Sequence, residues 1–408
     1  MTDAQSRCPV AAFDDTFFAD PYRAYALMHQ AGPVHSIVTP EGVPAWLVTG
    51  YPETRAALAD RRLARNIKHA GSAYRAMPLP AEFRSRTLAT EDAPEHTRLR
   101  EFMNRALAFK RVKGLRPRVE QITEQLIDAV VDKGEADLVT ALAAPLPITI
   151  IGDLLGVPDE HRANFVHWSD AMLATIPVAD ASGRDLAEVA HEASGSMLRF
   201  LVRMVAEKRA DPGDDVFSQW ILARDDQGQS LDDHELIGLG FMVLLGGYDT
   251  TVGMIGGSIL SLLEHPERMA ELRAHPERLP AAVEEFLRYY GTAHTGVRRF
   301  ATEDMEIGGV QIAAGDVVIV AMGAADRDPQ RFPEPDELDF SRPENHHLAF
   351  GQGPHYCPGS ELARMEMTVA LRAVLDRLPN LRLAVPAEQL PWRRSYLIRI
   401  LQSLPVTF

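Results

Sequence analysis

One decapeptide, Phe350-Gly351-Gln352-Gly353-Pro354-His355-Tyr356-Cys357-Pro358-Gly359, constrains this 408-residue chain more than any other stretch. The chain holds two cysteines, and the other, Cys8, lies in a polar N-terminal segment that reads as mobile. Cys357 stands among glycines at 351, 353 and 359, and glycine permits left-handed backbone and close approach of a flat ligand. A helical pattern starts at Glu361. The sulfur is therefore expected at a helix N-terminus, where free N–H groups and the dipole favour a thiolate. A thiolate there has three readings. As a nucleophile it needs a base, and His355 is near only in sequence. A zinc site needs about four ligands, and His346, His347 and His355 would have to supply them without a second cysteine. The axial ligand of a haem iron needs one cysteine in a glycine-shaped loop, which this stretch supplies.

Composition narrows the setting. The hydrophobic fraction of 46% and charged fraction of 24% are those of an ordinary globular protein. No run reaches the roughly 18 to 20 uninterrupted apolar residues of a membrane span, and the first residues lack the basic and apolar parts of a signal peptide. Two cysteines speak against a disulfide framework. We therefore expect a cytoplasmic, monomeric protein with no membrane association. A net charge of −15 excludes wholesale nucleic-acid binding. Between Arg98 and Arg118, however, eight basic residues face one acid, Glu101. That cluster is either a solvated helix face or a docking patch for an acidic protein.

Along the chain, Pro21 to Gln30 reads as a helix, Val34 to Ile37 and Ala45 to Thr49 as strands, and Tyr51 to Ala59 as a helix. Residues 63 to 93 read as a long loop. Asp92 is a candidate N-cap with Glu95 three residues on, and His96 and Arg100, at i and i+4, share a face that suits a carboxylate. Residues 115 to 265 read as mainly helical, broken near Pro145-Leu146-Pro147. The longest apolar helix spans Asp233 to Glu264 and should be central. Gly246 and Gly247 inside it cost about 1 kcal/mol each, which calls for close packing or for space beside a flat ligand. Thr250 is expected to turn its hydroxyl to the carbonyl of Gly246 and open the helix locally. Glu285 and Arg288 form an i, i+3 pair on a further helix. The last residues, 401 to 408, read as a closing strand pair.

These features together resemble the cytochrome P450 superfamily, from about residue 20 to the C-terminus. The decapeptide matches the haem-binding pattern Phe-Gly-x-Gly-x-His-x-Cys-x-Gly at Phe350, Gly351, Gly353, His355, Cys357 and Gly359. Pro358 stands where an aliphatic residue is usual and removes one N–H, so a more negative reduction potential is expected, to be raised in Pro358→Leu. The resemblance implies a mainly α fold with small β-sheets, one domain over 1–408 with residues 1–19 flexible, enclosing haem b on the Cys357 thiolate. His96, Arg100, Arg299 and His355 would hold the cofactor; Arg298 competes with Arg299. Gly246-Gly247-Tyr248-Asp249-Thr250 resembles the oxygen-activating segment, with Asp249 and Thr250 as the proton-delivery pair. Glu285, Arg288 and Arg342 resemble the family's structural charge cluster. The pocket is expected from residues 78–92 and 166–182 with Leu88, Met242, Leu245, Gly246, Tyr248, His294, Thr295 and Leu397. The implied activity is O2-dependent hydroxylation or epoxidation of a bulky lipophilic metabolite, such as a polyketide, macrolide or terpenoid. Electrons would come from NAD(P)H through a ferredoxin reductase and a ferredoxin docked on the 98–118 cluster and Arg364. A peroxide-driven enzyme and a haem-thiolate sensor are the rivals, and neither needs the Asp249–Thr250 relay.

Overall fold

A computed structural model describes residues 8–10, 12–72, 74, 87–173 and 186–408. Of residues 1–19, expected to be flexible, 12–19 pack against the fold, and 1–7 and 11 lie outside the described residues. Asp14 caps a short helix α1 (Asp15–Ala19) by accepting from the Phe17 N–H at 2.9 Å. Phe13, Phe17 and Phe18 are buried, with Phe13 against Tyr396 and Phe17 against Tyr25. Apolar burial of three aromatic rings outweighs the chain entropy of so short an element. Cys8 is half-buried beside them, and its N–H reaches the Ser36 carbonyl. Asp20 then caps α2 (Pro21–Ala31), with proline in the first turn, where its missing N–H costs nothing.

The strands follow the alternation in the sequence. β1 (Val34–Val38) and β2 (Pro44–Val48) form an antiparallel hairpin, and Val34 pairs with Val48. α3 (Tyr51–Ala59) follows. β3 (Leu63–Ala64) lies within the stretch read as a loop and adds an edge strand to this sheet. A helical body comes next: α4 (Glu95–Ala106), α5 (Phe109–Gly114), α6 (Arg116–Val131), then β4 (Glu135–Asp137) and a π-helical turn at Val139–Ala143. α7 (Pro145–Leu155) starts at the prolines expected to break the pattern; Pro145 opens a helix here. α8 (Asp159–Leu173), α9 (Leu186–Ala210) and α10 (Val216–Leu222) precede the central α11 (Asp233–Glu264).

A capping box fixes the start of α11: Asp232 accepts from the Glu235 N–H at 2.8 Å, and Glu235 accepts in return from Asp232 at 3.0 Å. The helix is long and apolar enough to cross a membrane by length and composition, yet 67% of its most apolar window is buried in the fold. It packs against α7, α9 and the cysteine helix. α12 (Pro266–Ala274) and α13 (Leu279–Tyr289) follow, then β5 (Arg299–Ala301), the hairpin β6 (Met305–Ile307) and β7 (Val310–Ile312), and β8 (Val317–Val320). β2 runs parallel to β8, which gives the sheet order β1-β2-β8-β5-β3. After α14 (Met322–Ala325) comes the cysteine loop, and then α15 (Ser360–Arg377). The C-terminus is not a self-contained strand pair. β10 (Pro405–Thr407) lies between β4 and β9 (Arg382–Leu383), because a strand buried between two partners satisfies both edges.

Glu285, Arg288 and Arg342 come together behind the cysteine loop. Arg288 donates from Nε and Nη2 to both oxygens of Glu285 at 2.8 and 2.7 Å, and Arg342 reaches Glu285 at 3.2 Å. Asn345 and the Asp339 N–H satisfy the same carboxylate, while carbonyls of Asp326, Pro335 and Glu337 take the remaining guanidinium donors.

Candidate active site

A cavity opens between α11 and the cysteine loop. Its roof is one face of α11: Met242, Val243, Gly246, Gly247, Thr250 and Thr251. Its floor is Phe350, Gly351, Cys357, Pro358, Gly359 and the first turns of α15. Leu88, Ala293, Thr295 and Val297 close one side, and Arg65, Arg100 and His355 form one end.

The helix period decides which α11 residues take part. At 100° per residue, 242, 243, 246, 247, 250 and 251 span the half of the helix that faces the cavity, 245 and 248 fall on the opposite half, and 249, 20° from 242, sits at the edge of the face without lining the cavity. Leu245 and Tyr248, expected in the pocket, do not line it; Tyr248 is buried in the core. The two glycines have different reasons. A Cβ on Gly247 would stand 2.7 Å from Ile151 of α7, so Gly247 serves helix packing. At Gly246 the nearest atom is 3.9 Å away, on Met242, so that position leaves open space. The Thr250 hydroxyl donates to the Gly246 carbonyl at 2.6 Å as expected, and Thr251 does the same to Gly247 at 2.9 Å. The chain stays α-helical throughout this segment. Asp249 is 1% exposed and forms a 2.8 Å ion pair with Arg393, a residue for which the sequence carried no local signal.

Two further pocket expectations fail for identifiable reasons. His294 turns into the N-terminal aromatic cluster, where its Nδ1 lies 3.2 Å from the Tyr25 hydroxyl. Leu397 contributes its carbonyl to the Thr295 N–H at 3.3 Å instead of a side chain to the cavity. Leu88, Met242, Gly246 and Thr295 do line it. Of the two expected stretches, 78–86 and 174–182 lie outside the described residues.

The glycine loop is required by its backbone. Gly351 and Gly353 both sit at φ of 74°, a conformation strained for any residue with a Cβ; at Gly353 a Cβ would also meet Ala59 Cα at 3.0 Å. The turn presents Cys357 Sγ at the foot of α15. The Gly359 N–H bonds the sulfur, and Arg100 and Arg364 add favourable charge. Burial dominates, however, and pushes the thiol above its ordinary range, contrary to the expectation from the helix terminus alone. A thiolate here therefore needs a cation directly on the sulfur.

The end of the cavity concentrates positive groups with little to balance them. His96 and Arg100 project from one face of α4. The expected N-cap is absent: Pro94 holds that place, and the Asp92 carboxylate instead accepts from the N–H groups of Arg65 and Asn66, each at 2.9 Å. That link brings Arg65 to the site, a residue that no periodicity or motif marked. The His96 and His355 rings lie 4.0 Å apart. Burial, with neighbouring cations, pushes His96 down to about 4 and His355 to about 2. Burial also lowers Arg100, Arg65 and Arg299, the last to about 10. His96 Nε2, Arg65 Nε and Arg299 Nε are buried with no hydrogen-bond partner among the described residues. Arg298 points away, into an ion pair with Glu41 at 3.1 Å and a bond to Tyr396. Orphaned donors and unbalanced cations in a buried place call for an anion. A flat group with carboxylates at one end and a soft metal ion at its centre fits both this cluster and Cys357.

The cytochrome P450 family profile matches residues 32–278 and 277–382. The chain belongs to the cytochrome P450 family. It is 42% identical over 400 residues to 6-deoxyerythronolide B hydroxylase of Saccharopolyspora erythraea, covering 96% of this chain and 97% of that protein. It is 37% identical to mycinamicin IV hydroxylase/epoxidase of Micromonospora griseorubida over 410 residues, 100% of both. Among solved structures, the bacillaene polyketide synthase P450 PksS of Bacillus subtilis superposes with a TM-score of 0.88 at 33% identity, covering 97% of this chain and 98% of that one. This P450 is thus a haem-thiolate monooxygenase that uses O2.

The basic cluster at 98–118 is less free than its composition suggested. Arg98 pairs with Asp225 and Glu235, Arg105 with Asp226, Arg116 with Glu120 and Arg118 with Asp153; Arg111 bonds Gln219. Arg364 is held by Glu284 at 2.7 Å and lies over the Phe350 ring. Lys110 and Lys113 on α5, which packs against α15, remain exposed.

Proposed function

We propose that this P450 hydroxylates or epoxidises a bulky lipophilic metabolite of the polyketide or macrolide class. The observation that carries this reading is the cavity itself: an apolar α11 face opposite Cys357, in a chain whose relatives include a 6-deoxyerythronolide B hydroxylase and a mycinamicin IV hydroxylase/epoxidase. Cys357 Sγ would ligate the iron, and His96, Arg100, Arg299, His355 and the additional Arg65 would hold the propionates. Phe350, Gly351 and Gly359 would shape the bed beneath the ring. The haem, when bound, activates O2 with two electrons so that one oxygen atom enters the substrate. The chain's own groups do the rest. Met242, Val243, Leu88 and Val297 orient an apolar substrate and exclude water. Thr250 holds a proton at Oγ1 over the open space left by Gly246, and Asp249 replenishes it from solvent.

The electrons come from a ferredoxin and its NAD(P)H-dependent reductase, docked where Lys110 and Lys113 stand on α5, beside α15. Substrate class is tested by titrating the ferric protein with a panel of polyketides, macrolides and terpenoids and recording the low-spin to high-spin shift of the Soret band. Macrolide-sized lactones should give the largest shift, and their turnover with ferredoxin, reductase and NADPH should yield alcohol or epoxide. A shift confined to small or polar molecules would refute the substrate class. Thr250→Ala should keep its haem while losing about tenfold or more in product per NADPH to hydrogen peroxide; unchanged coupling would remove Thr250 from the relay.

A further inference from the structure

The strap from His346 to Phe350 carries the cysteine loop, and its bonds lead back to one buried acid. The Cys357 N–H donates to the Phe350 carbonyl at 2.9 Å, and the Gly351 N–H donates to the Leu348 carbonyl at 2.7 Å. The Leu348 N–H donates in turn to Asp326 Oδ1 at 2.7 Å. Asp326 closes α14, is 1% exposed, and has an Oδ2 with no hydrogen-bond partner among the described residues.

The charged groups around this carboxyl are committed elsewhere. Arg288 of α13 spends its donors on Glu285 and on backbone carbonyls, that of Asp326 among them. Arg327 donates to the Tyr289 carbonyl and to Asp336. On the strap, His347 Nδ1 accepts from the Ala349 N–H at 3.2 Å, so its Nε2 donates to Glu284, 3.0 Å away. A proton added at Nδ1 would break the Ala349 bond. Glu284 also holds Arg364. Asp328 accepts from the N–H groups of Tyr51 and Gln330. α2 and α3 pack on α14 as well, and their groups are engaged: Tyr22 with the Tyr290 carbonyl, Tyr25 with His294, His29 with the Thr49 carbonyl and Tyr51 with the His346 carbonyl. Glu53 lies against Gly50 and Gly308, and Arg55 is exposed. An ionised Asp326 would therefore be desolvated with one oxygen unsatisfied. Burial pushes it up to about 7, against the lowering by His347 and the Leu348 N–H.

We infer that Asp326 is a positioning residue whose proton sets how firmly the His346–Phe350 strap, and with it the Cys357 loop, is held. Neutral, the carboxyl keeps the Leu348 bond without a buried charge. Ionised, it is the stronger acceptor for that N–H, but Oδ2 then carries charge away from water. The strap relieves this by opening, so that water reaches Oδ2 and the acid returns toward its ordinary 3.8. The closed form binds the proton more tightly than the open one. Its advantage is therefore full below about pH 4, falls as pH rises, and is level above about 7. Through Leu348 and Phe350, the cysteine loop is held more firmly on the acid side of neutrality.

Hydrogen–deuterium exchange of the holoenzyme, corrected for the intrinsic pH dependence of exchange, reads this opening. Between about pH 5 and 8, protection of the Leu348, Ala349 and Gly351 amides should fall tenfold or more, within a limit of about tenfold per unit. Asp326→Asn, which keeps the acceptor without the charge, should hold protection level and exceed the wild type at the alkaline end. Asp326→Ala, which removes the acceptor, should lose protection tenfold or more on the acid side too. Infrared difference spectra should show a protonated carboxyl band that fades with a midpoint near 7 and is missing from Asp326→Asn. Wild-type protection that does not change with pH overturns the inference, whether or not the variants fold. A fall that persists in Asp326→Asn assigns the proton to another group and overturns it as well. Wild-type protection in Asp326→Ala would deny that this acid holds the strap.

Discussion

Two buried charge clusters in this P450 differ in one respect that separates architecture from site. At Glu285, Arg288 and Arg342 every charge has its partner: both carboxylate oxygens and nearly all guanidinium donors are matched within 3.2 Å. Around His96, Arg65, Arg100, Arg299 and His355 three guanidinium groups crowd with two imidazoles that burial keeps neutral, and three of their nitrogens have no hydrogen-bond partner among the described residues. The first cluster is complete without a ligand. The second becomes favourable only when an anion arrives, so its imbalance is the mark of a binding site.

The largest expected effect comes from breaking the balanced cluster. Arg288→Ala leaves Glu285 buried and uncompensated, which costs about 3–5 kcal/mol. Denaturant unfolding should show that loss with and without cofactor, and a variant as stable as the wild type would deny the cluster its structural role. The unbalanced cluster should respond in the opposite sense. Arg65→Met removes a desolvated cation, so the haem-free chain should unfold at the same or higher denaturant concentration. Its holoprotein should release haem to an acceptor faster, since a charged hydrogen bond contributes about 1.5–3 kcal/mol, or roughly 10- to 100-fold in affinity. A haem-free chain weakened by Arg65→Met would erase the contrast.

The smallest effect per step of the variable changed is one of pH. The folded His96 sits at about 4 against an ordinary 6.5. Between those values the unfolded chain binds the extra proton, so stability is held above 6.5 and lost as pH falls toward 4, by at most about 1.4 kcal/mol per unit. Propionates beside the ring would raise the folded value and flatten this dependence. Stability curves of haem-free and loaded protein should therefore differ in slope below pH 6.5, and His96→Phe should make the haem-free curve shallower. Identical slopes would argue that no anion meets His96.

Local features of this molecule were legible because their causes are local. The apolar run bounded by Asp232 and Glu264 gave α11 with its ends, and glycines with a single cysteine gave the loop, where φ of 74° leaves little alternative. The i, i+4 spacing put His96 and Arg100 on one face. What the sequence concealed was produced by tertiary contact. Asp92 was spent on the backbone of Arg65 and Asn66 instead of on its own helix, and only that long-range choice delivers Arg65. His294 looked like a pocket residue until Tyr25, remote in sequence, claimed it. Tyr248 failed for a simpler reason: neighbours in a run do not share a helix face. The basic cluster lost much of its apparent freedom to acids on α7, α11 and the 225–226 turn.

The most direct measurement is the absorption spectrum of the purified, dithionite-reduced protein under carbon monoxide. A soft anionic sulfur from Cys357 on the iron predicts the red-shifted Soret band that thiolate ligation gives, lost in Cys357→Ser. A colourless protein, or a carbonyl adduct with the spectrum of imidazole ligation, would contradict the account.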